Sequence, residues 1–191
     1  MRAKSFIDKL QEFQKLPDEV VEEIISRVKK VHLHKRTMVL KEGQVCENIY
    51  FIDKGLARSY YTSEGKDYTT DICLEGEFMV EFSSFAHQTP SLQNLELIED
   101  CTLYYLSYTD LQELYSKYPI TERIGRLIAE YHYLSLSTHS YLLKFNTTSE
   151  RYDYLFNTKI EIIRRAPLGV IASYLGMSIE NLSRIRKKGD H

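Results

Sequence analysis

The chain has no tryptophan, four prolines and three cysteines in 191 residues, and no run of eighteen apolar residues. Each shortage removes a class of protein. Cys46, Cys73 and Cys101 are odd in number and far apart, which argues against a disulfide framework and for free thiols in a reducing, cytoplasmic setting. Without a long apolar run, nothing is expected to span a membrane. The first helical stretch, Ser5 to Leu16, is amphipathic and lacks the apolar centre of a signal peptide. No nucleophile–base constellation and no phosphate-cradling glycine loop is visible, so no catalytic residue is assigned and an enzyme is not expected.

What remains is an ordinary globular composition, 43% hydrophobic and 27% charged, long enough for one sizeable core plus a small appended domain. Charge is divided unevenly along it. Residues 144–191 hold nine Lys and Arg against five Asp and Glu, about +4, so the formal −2 of the whole leaves about −6 on residues 1–143. A basic end on an acidic body is the footprint of a phosphate-binding module.

That basic end is also strongly patterned. Pro167 sits where a first helical position tolerates proline, and Ile171, Ala172 and Leu175 repeat at helical spacing. Gly176 can take the left-handed conformation that ends a helix. Ser178 is a good N-cap for a second helix, and Glu180 in its first turn suits the helix dipole. Leu182 and Ile185 pack that helix inward, leaving Glu180, Asn181, Arg184, Arg186, Lys187 and Lys188 on its outer face. Two short helices across a glycine turn, the second ending in cations, make a helix-turn-helix pattern. Any terminal helical hairpin shares the spacing; the charge favours a DNA reader.

The acidic part changes period twice. Phe6, Leu10 and Phe13, then Val20, Val21, Ile24 and Val28, mark two N-terminal helices. From Val31 the apolar residues alternate through Leu40, and further strand-like runs cover Asn48–Ile52, Ala57–Tyr61, Asp67–Leu74, Leu92–Ile98 and Thr102–Ser107. Turns at Gly43, Gly55, Gly65 and Gly76 separate them, as in an antiparallel sandwich or jelly roll. From Thr109 helices return. Leu111 and Leu114 belong to a short one ending before Pro119. Ile124, Leu127, Tyr131, Leu134, Thr138, Tyr141 and Phe145 then follow at alternating steps of three and four, a heptad seam. Such a seam either lies along its own domain or pairs with a second copy; its place between a β-domain and a DNA reader favours a homodimer. Thr147 and Glu150 form a capping box for the next helix, whose Tyr152, Leu155 and Phe156 are expected to face inward. The division expected is a β-rich domain over 1–118, a dimerisation helix over 119–146 and a helix-turn-helix domain over 147–191, an α+β chain.

This order of parts resembles the Crp/Fnr family of bacterial transcription regulators, along essentially the full chain. The stretch Ile171-Ala172-Ser173-Tyr174-Leu175-Gly176, with Leu182-Ser183-Arg184-Ile185-Arg186 after it, is similar to the branch common in Bacteroidetes. Tyr50-Phe51-Ile52-Asp53-Lys54-Gly55-Leu56-Ala57-Arg58 resembles the family's hairpin, while the β-wing some relatives carry beyond the second helix is not expected here. The resemblance implies a cyclic-nucleotide-binding-like sensory jelly roll, with Gly76, Glu77 and Phe78 at the opening of the pocket and Glu81 in the ribose position. The phosphate end departs from the pattern. Near Ser91 the family's arginine is absent, and none occurs between Arg58 and Arg123. A cyclic phosphate taken from water needs a charge-assisted partner, so cAMP is doubtful and the effector is left unknown, with no cofactor required. The options that stay open are a small apolar or anionic ligand, or none, and the loop Phe82–Ser91, with Phe82, Phe85 and His87, is where such a ligand is expected. The cysteines are not clustered as an iron–sulfur relative needs, and no histidine stands in a diagnostic haem motif.

His32 and His34, at i and i+2, share a strand face as metal ligands do in cupins, but the flanking glycine and glutamate of that motif are missing, so no metal ligand is assigned. A cupin-like metal enzyme is the least favoured of three readings. The second is a module whose basic tail docks a protein such as RNA polymerase. The favoured one is a dimeric regulator reading double-stranded DNA. There Ser178, Ile179, Glu180, Asn181, Ser183 and Arg184 meet bases or phosphates, and Arg186, Lys187 and Lys188 anchor on phosphates. Ile179 stands where well-known relatives carry a guanine-reading arginine, so a different, near-palindromic operator is implied. Two such helices sit roughly 34 Å apart in this geometry.

Overall fold

The computed structural model describes the chain from Ala3 to Gly189, and side chains as far as Lys187. Helix α1 (Lys4–Phe13) buries Phe6, Ile7 and Leu10, and α2 (Asp18–Arg27) buries Val20, Val21 and Ile24 behind Pro17 as N-cap. Asp18 and Glu19 in the first turn and Arg27 in the last complement the α2 dipole. Eight strands follow: β1 (Lys29–Leu33), β2 (Met38–Leu40), β3 (Asn48–Lys54), β4 (Ala57–Ser63), β5 (Lys66–Cys73), β6 (Phe78–Met79), β7 (Asn94–Leu97) and β8 (Cys101–Ser107). A short helix α3 (Phe82–His87) interrupts them after β6.

The strands form two antiparallel sheets, ordered β1-β8-β3-β6 and β2-β7-β4-β5. The pleat fixes which side chains go where. In β3, Ile52 points between the sheets with Leu97, Cys101 and Leu103, while Phe51 points out onto α1. There the Phe6 ring meets Phe51 edge-on at 5.5 Å and Phe78 at 6.0 Å. Gly55 turns the β3–β4 hairpin at φ +110°; a Cβ there would collide with the Cys101 thiol and the Asp100 carbonyl.

Beyond β8 come α4 (Tyr108–Lys117), the 27-residue α5 (Pro119–Phe145), α6 (Thr148–Thr158), α7 (Ile160–Arg165), α8 (Leu168–Tyr174) and α9 (Ile179–Gly189). Pro119 opens α5 and Thr147 caps α6 in a full capping box with Glu150. The chain is thus an α+β jelly roll, a long helix and a C-terminal helical unit.

Several expectations need correction. The Phe82–Ser91 stretch is not all loop, because Glu81 accepts the Ser84 N–H and caps α3. Helix α7 has no long apolar period to reveal it. Pro167 is the N-cap of α8, one position before the helix proper. Phe156 is 50% exposed, while Leu155 alone of its trio is fully buried. His32 and His34 part company: His32 Nδ1 is 2.8 Å from Thr102 Oγ1, and His34 turns to Asp100 at 3.5 Å. Among the described residues, no group of three His, Cys, Asp or Glu side chains could hold a metal ion.

Candidate functional site

The C-terminal helical pair is built around its turn. Gly176 sits at φ +62°, the Met177 N–H reaches the Ala172 carbonyl at 3.0 Å, and the Gly176 N–H reaches Ser173 at 3.1 Å. These are the paired bonds of a Schellman stop, with Met177 and Ala172 in one apolar cluster. Ser178 Oγ then accepts the Asn181 N–H at 3.2 Å and starts α9. Leu182, with no exposed surface, pins α9 onto Ile171, Ala172 and Leu175 of the preceding helix and turn.

The opposite face of α9 is open. Ser178, Ile179, Glu180, Arg184, Arg186 and Lys187 are exposed, and Asn181 and Ser183 are half-buried at its flanks. Arg184 Nη2 lies 3.4 Å from Asn181 Oδ1, about one helical turn back. Lys188 belongs to the same helix, but its side chain lies outside the described residues.

The charge of the C-terminal segment is spent differently from the simple count. Arg165 grips the β-domain with two carboxylates: Nη1 and Nη2 meet Glu75 at 2.8 and 2.7 Å, and Nε and Nη2 meet Glu99 at 3.1 and 2.6 Å. Hydrogen bonds from Arg165 hold the Glu75 carboxyl down to about 2. Lys159 Nζ pairs with Glu77 at 2.7 Å; burial opposes its charge, yet Glu77 beside it raises its pKa. Arg151 spends its guanidinium on carbonyls, those of Asn146, Leu175, Gly176 and Leu143. These three cations therefore fasten the helical unit and are not available to phosphate. Sequence reasoning missed Lys159 and Arg165 because their partners are distant in the chain, and Arg151 because its partners are backbone carbonyls.

Two more contacts complete the attachment. Ser173 Oγ accepts the Thr69 N–H at 2.8 Å and donates to the Asp67 carbonyl at 2.8 Å, closing the free edge of β5 with a helix side chain. His139 of α5 stacks on Tyr174 of α8. Beneath them, Leu56 and Ile72 of the β-domain share one core with Leu155, Ile162, Ile171 and Leu182.

The proposed seam splits in two. Ile124 is 3% exposed and belongs to the core beneath α1, so it cannot meet a partner helix. From there the stripe emerges. Leu127 is half-buried and Thr138 exposed, while Tyr131, Leu134, Tyr141 and Phe145 are 50, 64, 59 and 72% exposed. Four large apolar side chains in a row on one helix face form an unusual surface for a lone chain.

Between the jelly roll and α5 lies a cavity of about 450 Å³. Of the residues expected around an effector, Phe78, Glu81 and Phe82 line it. Gly76, Glu77, Phe85 and Ser91 do not. Gly76 and Glu77 form the β5–β6 turn, with Glu77 turned to Lys159. Phe85 packs in the core, and Ser91 Oγ serves its own loop through Gln93. The remaining wall includes Asp71, Gln93, His132, Tyr133 and Leu136, none of which has a local sequence signature. All three cysteines are buried, and burial pushes the Cys101 thiol up to about 11.

Residues 30–118 match the family model described as the cyclic nucleotide-binding domain. Among solved structures, the chain is similar to FixK2 from Bradyrhizobium japonicum, with TM-score 0.72 and 19% identity over 84% of this chain and 83% of that one. It is similar also to CLP, the c-di-GMP responsive global regulator of Xanthomonas campestris, with TM-score 0.67 and 18% identity over 91% and 92%. Thermus thermophilus catabolite activator protein matches with TM-score 0.55 and 19% identity over 94% and 85%. No curated protein matches the chain by sequence. Among the described residues, no helix is long and apolar enough to cross a membrane.

Proposed function

We propose that this protein is a homodimeric, sequence-reading DNA-binding regulator of Crp/Fnr type, a reading supported by the cyclic nucleotide-binding domain match over residues 30–118 and by the fold most of the chain shares with FixK2 and CLP. Its effector is not cAMP. One observation carries the reading: the polar face of α9 stands open while its apolar face is locked onto α8 across a Schellman turn. That is the arrangement a recognition helix needs to enter a major groove.

In this reading Glu180 and Arg184 address base edges, and Arg186 and Lys187 fix register on phosphates. The exposed stripe from Leu127 to Phe145 pairs with its copy and sets the separation of two recognition helices. The cavity against α5 receives the effector, and β5, which lines it at Asp71 and holds Ser173 at its edge, connects it to α8.

Fluorescence anisotropy of the purified chain on random-sequence duplex, titrated with salt, tests the DNA half of this proposal. Binding that weakens steeply with salt supports it, because released counterions drive phosphate contact. Absent or salt-insensitive binding favours the reading in which the basic tail docks a protein.

A further inference from the structure

We propose that the cavity against α5 takes a small organic cation, an ammonium group carried on an aromatic or aliphatic body. The proposal rests on reading the jelly roll as a sensory domain and names the ligand class that site would accept.

Volume comes first. About 450 Å³ lies within the roughly 300–1,000 Å³ typical of small-molecule sites. Charge decides the rest. Asp71 and Glu81 line the cavity, and no lysine or arginine does. The cations on neighbouring segments are engaged elsewhere, Arg58 with Asp67 and Glu96, and Lys159 with Glu77.

Glu81 is 8% exposed, and its Oε2 accepts one neutral donor, the Ser84 N–H at 2.7 Å. A carboxylate taken that far from water without a counter-ion is costly, and a ligand that brings an ammonium removes the cost. An anion would place like charge beside two carboxylates and raise it. Asp71 hydrogen-bonds only to backbone and thiol, Oδ1 accepting the Ile72 N–H at 2.9 Å and Oδ2 facing Cys73 Sγ at 3.6 Å, and Lys159, whose direct partner is Glu77, feels it at longer range.

The rim fits the same ligand. Tyr61, Phe82 and Tyr133 line the cavity at 38, 58 and 70% exposure. Aromatic faces attract cations through the ring quadrupole and give an apolar body somewhere to lie. Tyr61 is held in place: Gln93 Nε2 donates to its hydroxyl at 3.0 Å, and Gln93 Oε1 accepts from Thr70 at 2.9 Å.

The test is calorimetric titration of the full chain with 2-phenylethylammonium, its charge-inverted analogue 3-phenylpropanoate, and cAMP. The ammonium is expected to bind saturably, one per chain, and the two anions not to bind. In an Asp71→Asn, Glu81→Gln double variant, whose amide at 81 still offers oxygen to the Ser84 N–H, ammonium affinity should fall at least tenfold while the melting temperature of the unliganded chain does not fall. Failure of the ammonium to bind, equal binding of the carboxylate, or wild-type affinity in the double variant overturns the proposal. Where that variant does not fold, the contrast between the charge-inverted probes on the native chain decides alone. DNA binding in the same preparation separates the two levels. Intact DNA binding without ammonium binding overturns the ligand class only, whereas loss of DNA binding under all conditions overturns the regulator reading.

Discussion

The His139 imidazole stacks on the Tyr174 ring with centroids 4.1 Å apart and planes 11° from parallel, and its Nε2 donates to the Tyr174 carbonyl at 2.8 Å. One side chain of the long helix thus holds the first helix of the C-terminal pair through both its ring and its backbone. Arg151 grips the same turn from α6, and Ser173 ties it to the β5 edge. The placement of α8 and α9 against α5 and the β5 edge is therefore set by a few specific polar contacts laid over one apolar core.

The stack gives a pH dependence with a definite sign. Burial lowers the His139 pKa below its ordinary value of about 6.5, more than the Tyr174 carbonyl raises it. A lowered base binds fewer protons folded than unfolded, so stability is complete above about pH 6.5 and falls as the pH drops below it. Asp71, Arg151 and Lys159 also act on this imidazole. Thermal unfolding at pH 8 and pH 5.5 should show the decline in the native chain and a smaller decline in His139→Gln. Equal declines would remove His139 from the account.

Arg165→Ala removes two bidentate pairings at once, leaving Glu75 and Glu99 unpaired at the domain boundary. Because both acids are about a third exposed, the expected loss is on the order of 1 kcal/mol. Hydrogen exchange in α7 and α8 should speed up, with the β-sheet core unchanged. The pairing has its own acid limit: Glu75, held down to about 2, keeps its contribution above the ordinary carboxylate range and loses it as the pH falls towards 2.

Two substitutions on α5 should behave in opposite ways. Leu134→Glu puts charge into an exposed stripe and should yield folded monomers with poor operator affinity in sedimentation and binding assays. Ile124→Ala instead hollows the core under α1 and should cost about 2–5 kcal/mol of stability while leaving association alone. Dimers in the first variant would refute the seam.

On α9, Arg184→Ala should cost about 1–3 kcal/mol of operator binding and relax preference at one base pair. Lys187→Ala should weaken all duplexes alike and reduce the salt slope by about one. A lysine variant with an unchanged slope does not touch phosphate.

The architecture was legible where local chemistry is strong. The Thr147–Glu150 capping box, Gly176 at the helix stop and Ser178 as N-cap are each written within four residues. The site was legible only in part. Gly76-Glu77-Phe78 marks a turn by sequence, yet only Phe78 reaches the cavity, because Glu77 is drawn away by Lys159, 82 positions on. His132, Tyr133 and Leu136 enter the cavity from α5 simply because that helix crosses the sheet there, a fact of tertiary packing. Net charge misled for the same reason. It counted Lys159 and Arg165 among phosphate binders although the fold pairs both with acids of the β-domain.

The central claim is that an open α9 face, presented twice by a dimer, reads DNA. Selection of bound sequences from a random duplex pool at about 0.15 M salt, with and without 2-phenylethylammonium and cAMP, addresses it most directly. The account predicts recovery of an inverted repeat with half-sites about one helical turn apart, and no gain from cAMP. Recovery of no preferred sequence under any of these conditions would contradict it.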